Sequence, residues 1–201
     1  MSVGARGLEK VGQRRVAVER ESGKPVVLFL RQLLWSTRPF AAAGAQTVGF
    51  FTGAITSPLA SNLALPNQIP SPSSFDIFSW NLYLSYGMAE ADVVLFYNNA
   101  LFDFAISKKP FLQAPAAVIP AGTAGLYGFC ATLAVGPGIF HACNGIPSAA
   151  NTYAMDINGL SIYLPSQQDF TAVVTTFNAG AFGAVFNATV AMNGIQSTPV
   201  L

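Results

Sequence analysis

The chain has 201 residues, of which 52% are hydrophobic and only 9% charged, with 18 Gly and 13 Pro. A soluble domain usually carries about 25% charged residues, so intrinsic disorder is excluded and a freely diffusing monomer with a charged coat is disfavoured. The net charge of +1 conceals an asymmetry: residues 1–38 hold eight basic and three acidic residues (net +5), whereas residues 39–201 hold two and six (net −4).

In chain order, Arg6, Lys10, Arg14, Arg15 and Arg20 mark residues 1–38 as a basic N-terminal arm ahead of a nearly charge-free body over 39–201. Such an arm suits an anionic partner: nucleic acid, phospholipid head groups, or the acidic flank of a neighbouring copy. A solvated tail has the same composition. Leu8, Val11, Arg15 and Val18 fall three or four apart, as on a helix, while Gly12 weakens that spacing. The arm is therefore expected to be partly helical or extended, with Gly23-Lys24-Pro25 breaking whatever element precedes it.

Strand signals dominate from Val26 onward. Val26–Leu30 and Gln46–Phe51 are short apolar runs, and residues 66–72 form a Pro/Asn/Ser loop. Phe75–Tyr86 alternates in part. If it is a regular strand, Phe78 and Trp80 point away from Phe75 and Ile77. Val93–Tyr97 and Leu101–Ile106 flank Asn98-Asn99, and Tyr153–Ile157 and Leu160–Leu164 flank Asn158-Gly159; both pairs are expected to be hairpins. Thr171–Phe177 and Ala184–Met192 complete about eight to ten strands with almost no helix, an all-β sandwich or barrel.

Charge-free stretches over 39–75, 110–155 and 170–201 each exceed the ~20 residues that span a bilayer. Repeated Pro (Pro110, Pro115, Pro120, Pro137, Pro147) and Asn (Asn178, Asn187, Asn193) argue against spanning helices. The first 25 residues lack the apolar run of a secretory leader, so Cys130 and Cys143 are expected to stay reduced in a cytosol.

Chemistry is sparse. Cys130, His141 and Cys143 supply three candidate ligands where structural zinc takes four in close pairs. Glu90 and Asp92 would share one face of a strand, as a glycosidase pair could, although two acids near Gly87 more often simply solvate a loop. Asp76, Asp103 and Asp169 are scattered singly. No phosphate or dinucleotide loop is present. The chain is not expected to be an enzyme, to hold a metal or other cofactor, or to take a small-molecule substrate. Its 16 Phe, 6 Tyr and 2 Trp exceed what one core needs and imply contact with other subunits or with lipid.

Two segments carry a resemblance. Asn62-Leu63-Ala64-Leu65-Pro66 runs into Gln68-Ile69-Pro70-Ser71-Pro72 and then Phe75-Asp76-Ile77-Phe78. Later, Leu164-Pro165-Ser166-Gln167-Gln168-Asp169-Phe170 leads to Ala172-Val173-Val174. In this order they resemble the loop-to-strand passages of major capsid proteins of tailless icosahedral bacteriophages, often membrane-containing. The body is long enough for one roll, which points to the single-jelly-roll type similar to sphaerolipovirus-like capsid proteins. The resemblance implies a single jelly-roll β-sandwich, a virion protein made in the host cytoplasm, and no catalytic residues. Its partners would be copies of itself and other capsid proteins, with membrane or genome contact through the arm. The alternative is a β-sandwich binding module, such as a phage spike or a carbohydrate-binding adhesin.

Overall fold

The computed structural model describes residues 8–11, 14–18, 25–53, 57, 59–85, 88–119, 153–154 and 162–199. Among them are eleven strands: β1 (Leu8–Val11), β2 (Arg14–Val18), β3 (Pro25–Phe40), β4 (Gln46–Phe50), β5 (Ser74–Leu84), β6 (Ala100–Ile106), β7 (Lys109–Pro115), β8 (Tyr153–Ala154), β9 (Ile162–Leu164), β10 (Phe170–Thr176) and β11 (Phe186–Pro199). A helix, α1 (Glu90–Asn99), precedes β6, and a short 3₁₀ turn follows β7.

The strands form two antiparallel sheets. The larger runs β1-β2-β3-β11-β5, with β8 and β9 both on the far edge of β5; the smaller runs β4-β10-β6-β7. Counting β8 and β9 as one interrupted edge strand, and setting the β1–β2 hairpin aside, leaves four strands facing four. Apart from the β6–β7 hairpin, each successive connection crosses from one sheet to the other. That topology is a single jelly roll, so the all-β sandwich expected from the sequence is the observed fold.

Aromatic rings fill the interior. Trp80 lies 4.5 Å from Phe104 and 5.1 Å from Phe102 between ring centroids, bridging the two sheets. Phe170 extends this cluster to Phe51 at one end of the sandwich. At the other end Phe40 stacks on Phe186 at 5.2 Å, and Phe96 of α1 meets both edge-on. Such pairs add about 0.5–1.5 kcal/mol each beyond their buried area.

Several local expectations change. Residues 25–38, grouped with the arm by charge, belong to β3, which pairs with β11 from Val27↔Pro199 to Phe40↔Phe186. The helical spacing in the arm gives way to strands, because β1 and β2 pair with each other and extend the sheet beyond β3. Trp80 shares the buried face with Phe75 and Ile77 rather than opposing them. Asn193 pairs with Ser79 and Gly194 with Ile77, so Phe78 is an extra residue in β5. This β-bulge reverses the alternation and turns Trp80, Leu82 and Leu84 inward.

Residues 90–99 are helix, not the first half of a hairpin. Val93, Phe96 and Ala100 recur three and four apart and are buried, while Glu90 and Asp92 sit in the first turn, where the helix dipole favours acids. Of the second expected hairpin, the turn Asn158-Gly159 lies outside the described residues. Of its flanks, the described parts β8 and β9 each pair antiparallel with β5, and among the described residues they do not pair with one another.

Candidate functional site

Three regions could carry function: the basic arm, the α1 end and the opposite loop end. Lys10 lies in β1 and Arg14 and Arg15 in β2, with Lys10 registered opposite Arg15. Among the described residues, the hairpin pairs with the body through Val16↔Leu28, Ala17↔Val27 and Val18↔Pro25. Farther along β3, the edge is covered by a loop: Thr37 N–H donates to the Ala60 carbonyl at 2.7 Å, and Asn62 bonds the backbone of Trp35 and Leu33. β1 is therefore the terminal strand of the larger sheet, and a terminal strand is a template for pairing with another chain. Arg6 and Arg20 lie outside the described residues.

Two further arginines sit on β3. Arg31 is exposed. Arg38 is half-buried and donates to Thr52 Oγ1 at 3.1 Å. A β-carbon on Gly53 would stand 2.7 Å from Arg38 Nη2, so this glycine leaves room for the guanidinium.

At the α1 end, Glu90 and Asp92 lie on a helix and not on a strand, so they do not form the one-faced pair considered above, since residues two apart on a helix do not face each other. Asp92 is buried at 8% exposure and accepts the Gly183 N–H at 2.9 Å, tying α1 to the loop between β10 and β11. It lines a cavity of about 290 Å³ with Ser85, Met88, Ala89 and Phe186. Asp76, Asp103 and Asp169 are scattered, as expected: Asp103 accepts from Gln113 Nε2 at 2.7 Å and Asp169 from Gln68. Cys130, His141 and Cys143 lie outside the described residues. Among the described residues no group of three His, Cys, Asp or Glu is placed to hold a metal.

The opposite end brings together the two segments that carry the resemblance. Ile69 bridges to Ser166, and the Gln167 N–H donates to the Ile69 carbonyl at 2.8 Å. The Phe170 N–H donates to the Asn67 carbonyl at 3.0 Å. The β6–β7 turn joins them, with the Ser107 N–H on the Asp169 carbonyl at 2.9 Å and Gln168 Nε2 on Ser107 Oγ at 2.9 Å. Among the described residues, every non-glycine positive φ falls here: Phe51 (61°), Asn67 (54°), Ser107 (48°), Lys108 (67°) and Gln167 (59°).

The Ser107-Lys108 turn is a two-residue hairpin with both central residues left-handed, a geometry that usually takes Asn-Gly. Sequence reading missed it because Ser-Lys lacks that signature. The available signal was Lys108-Lys109-Pro110 standing between two runs of alternating apolar residues.

Large apolar side chains also reach the surface on several sides. Tyr163 is 55% exposed, Leu33 41%, Phe177 62% and Val185 65%. Leu33 and Tyr163 belong to the larger sheet, whereas Phe177 and Val185 flank the loop between its last strand and β10. No protein-family model matches the chain, and no curated protein matches it in sequence. No helix among the described residues is long and apolar enough to cross a membrane.

Proposed function

We propose that this chain is a structural subunit of an icosahedral virion shell, a single jelly roll whose role is assembly with copies of itself and with other capsid proteins. The observation that carries the reading is where the apolar side chains are. Trp80, Phe102, Phe104 and Phe170 fill the space between the sheets, while Leu33, Tyr163, Phe177 and Val185 remain at the surface of a body that carries few charges. A filled interior leaves the edges, ends and outer faces for function, and exposed apolar area on several sides is what a subunit surrounded by neighbours requires. The resemblance of the 62–78 and 164–174 segments to phage capsid proteins points the same way, as does the open edge of the basic β1–β2 hairpin.

On this reading the arm residues Lys10, Arg14 and Arg15, with Arg6 and Arg20, make contacts between subunits or with what the shell encloses. The chain needs no cofactor and performs no catalysis. Electron cryo-microscopy of the purified protein tests it. The expected result is a closed shell with this sandwich in its lattice. Small discrete oligomers that never assemble, with or without other capsid proteins, would overturn the proposal and favour a carbohydrate-binding or spike-like sandwich.

A further inference from the structure

The body over residues 39–201 contains only two basic residues, Lys108 and Lys109. Both occupy the tip of the β6–β7 hairpin, where the backbone takes two successive left-handed residues to present them. Left-handed non-glycine backbone persists only where its surroundings hold it, and here the Asp169 carbonyl and the Gln168 side chain do so through Ser107. Residues 107–111, Ser-Lys-Lys-Pro-Phe, are all exposed. Phe111, at 50% exposure, is the extra residue of a β-bulge, since Ala105 pairs with Pro110 and Phe104 with Leu112, and it stands exposed two residues beyond Lys109.

Further exposed apolar side chains occur at this end of the sandwich. Leu65 is 39% exposed on the turn at Pro66-Asn67, and Leu30 is 50% exposed near the start of β3. The β1–β2 hairpin, with Lys10, Arg14 and Arg15, attaches to residues 25–28 of β3 and so enters at this same end. Glu90 and Asp92 lie at the other end, in α1. Asp169, whose backbone carbonyl meets the lysine turn, has its carboxylate engaged by Gln68.

We propose that this loop end docks on an anionic lipid surface, with Lys108 and Lys109 meeting the head groups and Phe111, Leu65 and Leu30 entering the interfacial layer. Lysines near an anionic bilayer gain from its surface potential, and aromatic and aliphatic side chains beside them gain from leaving water at head-group depth. A nucleic acid would reward the lysines equally. It would use rings as stacking platforms and gain nothing from exposed leucines, so the Leu-Leu-Phe surroundings favour lipid. The inference stands apart from shell assembly and can fail or succeed without it.

Flotation of the purified full-length chain with vesicles of phosphatidylcholine, with and without phosphatidylserine, tests the proposal. Binding is expected only to the anionic vesicles. Lys108→Asn with Lys109→Gln, in which Asn tolerates the left-handed backbone, should weaken partitioning on the order of thirty-fold at low salt. Phe111→Ser should remove the part of the binding that survives high salt. If the double variant loses its wild-type melting temperature, Lys109→Glu alone, outside the left-handed turn, must show the same direction. Failure of the wild type to bind anionic vesicles overturns the proposal, as does binding that ignores both lysines. Tighter binding to duplex DNA than to vesicles, with Phe111→Ser silent, also overturns it and reassigns the end to nucleic acid.

Discussion

Gly194 of β11 lies so close to β5 that a β-carbon added to it would stand 2.6 Å from the ring of Phe75 and would run into the Asp76 carbonyl. The approach occurs where Phe78 bulges out of β5, and a glycine inside a strand marks such a meeting of backbones. Gly194→Ala should therefore lower stability by about 2–3 kcal/mol, the range for overpacking a filled site, or prevent folding. Gly180→Ala is the control, because nothing lies within 4 Å of its β-carbon position; it should stay within about 0.5 kcal/mol of wild type. Thermal unfolding of the two variants checks both values. Equal melting temperatures would mean that the bulge yields without cost.

Asp92 holds the α1 end together through one bond. Its carboxylate accepts the Gly183 N–H while sitting in the first turn of α1. Asp92→Ala leaves that donor without its acceptor and should cost about 1–3 kcal/mol. Asp92→Asn keeps an acceptor of the same shape and should lose less than about 1 kcal/mol, mainly the helix-dipole contribution. Chemical denaturation separates them. An alanine variant as stable as the asparagine one would show that the bond adds nothing.

The sandwich was legible because turn residues and short apolar runs alternate through the body. Local misreadings have physical causes. Phe75 and Ile77 keep one phase and Trp80, Leu82 and Leu84 the other, a break that marks a bulge but that a regular strand reading assigns to two faces. Val93 and Val94 favour strand locally, yet burial of Val93 and Phe96 on one helical stripe overrides that preference. Arg31 and Arg38 suggested arm, although β11 pairs along the whole stretch that carries them. Charge reports what faces water, and an edge-proximal strand can carry arginine without leaving its sheet. The gathering of Lys108 and Lys109 with the 62–70 and 164–170 segments was not legible, because it depends on which loops share an end.

The Ser107-Lys108 turn should trade stability for binding. An L-residue in the left-handed region costs roughly 1–2 kcal/mol, and Asn-Gly is the pair that a two-residue hairpin of this kind prefers. Ser107→Asn with Lys108→Gly is expected to raise stability by about 1 kcal/mol, partly offset by the lost Gln168–Ser107 bond. The same variant should bind anionic vesicles more weakly, since one of the two body lysines is gone. Melting temperature and flotation on one preparation measure both. A variant that gains stability and keeps full binding would show that the left-handed lysine is not held for that purpose.

If the chain assembles into a shell as proposed, deleting residues 1–24 should separate folding from assembly. The deletion removes β1 and β2 but leaves all fourteen register pairs between β3 and β11, and takes away only the three pairs that join β2 to β3. A hairpin joined to β3 by three register pairs adds little to the stability of the body, because a two-stranded hairpin is marginal by itself. The truncated chain should melt within a few degrees of wild type yet assemble poorly, having lost the open β1 edge and Arg6, Lys10, Arg14, Arg15 and Arg20. Light scattering and electron microscopy of the two proteins under identical conditions decide it. A truncated chain that forms normal shells would free the arm from any role in holding subunits together, and its basic residues would then be left to what lies inside the shell.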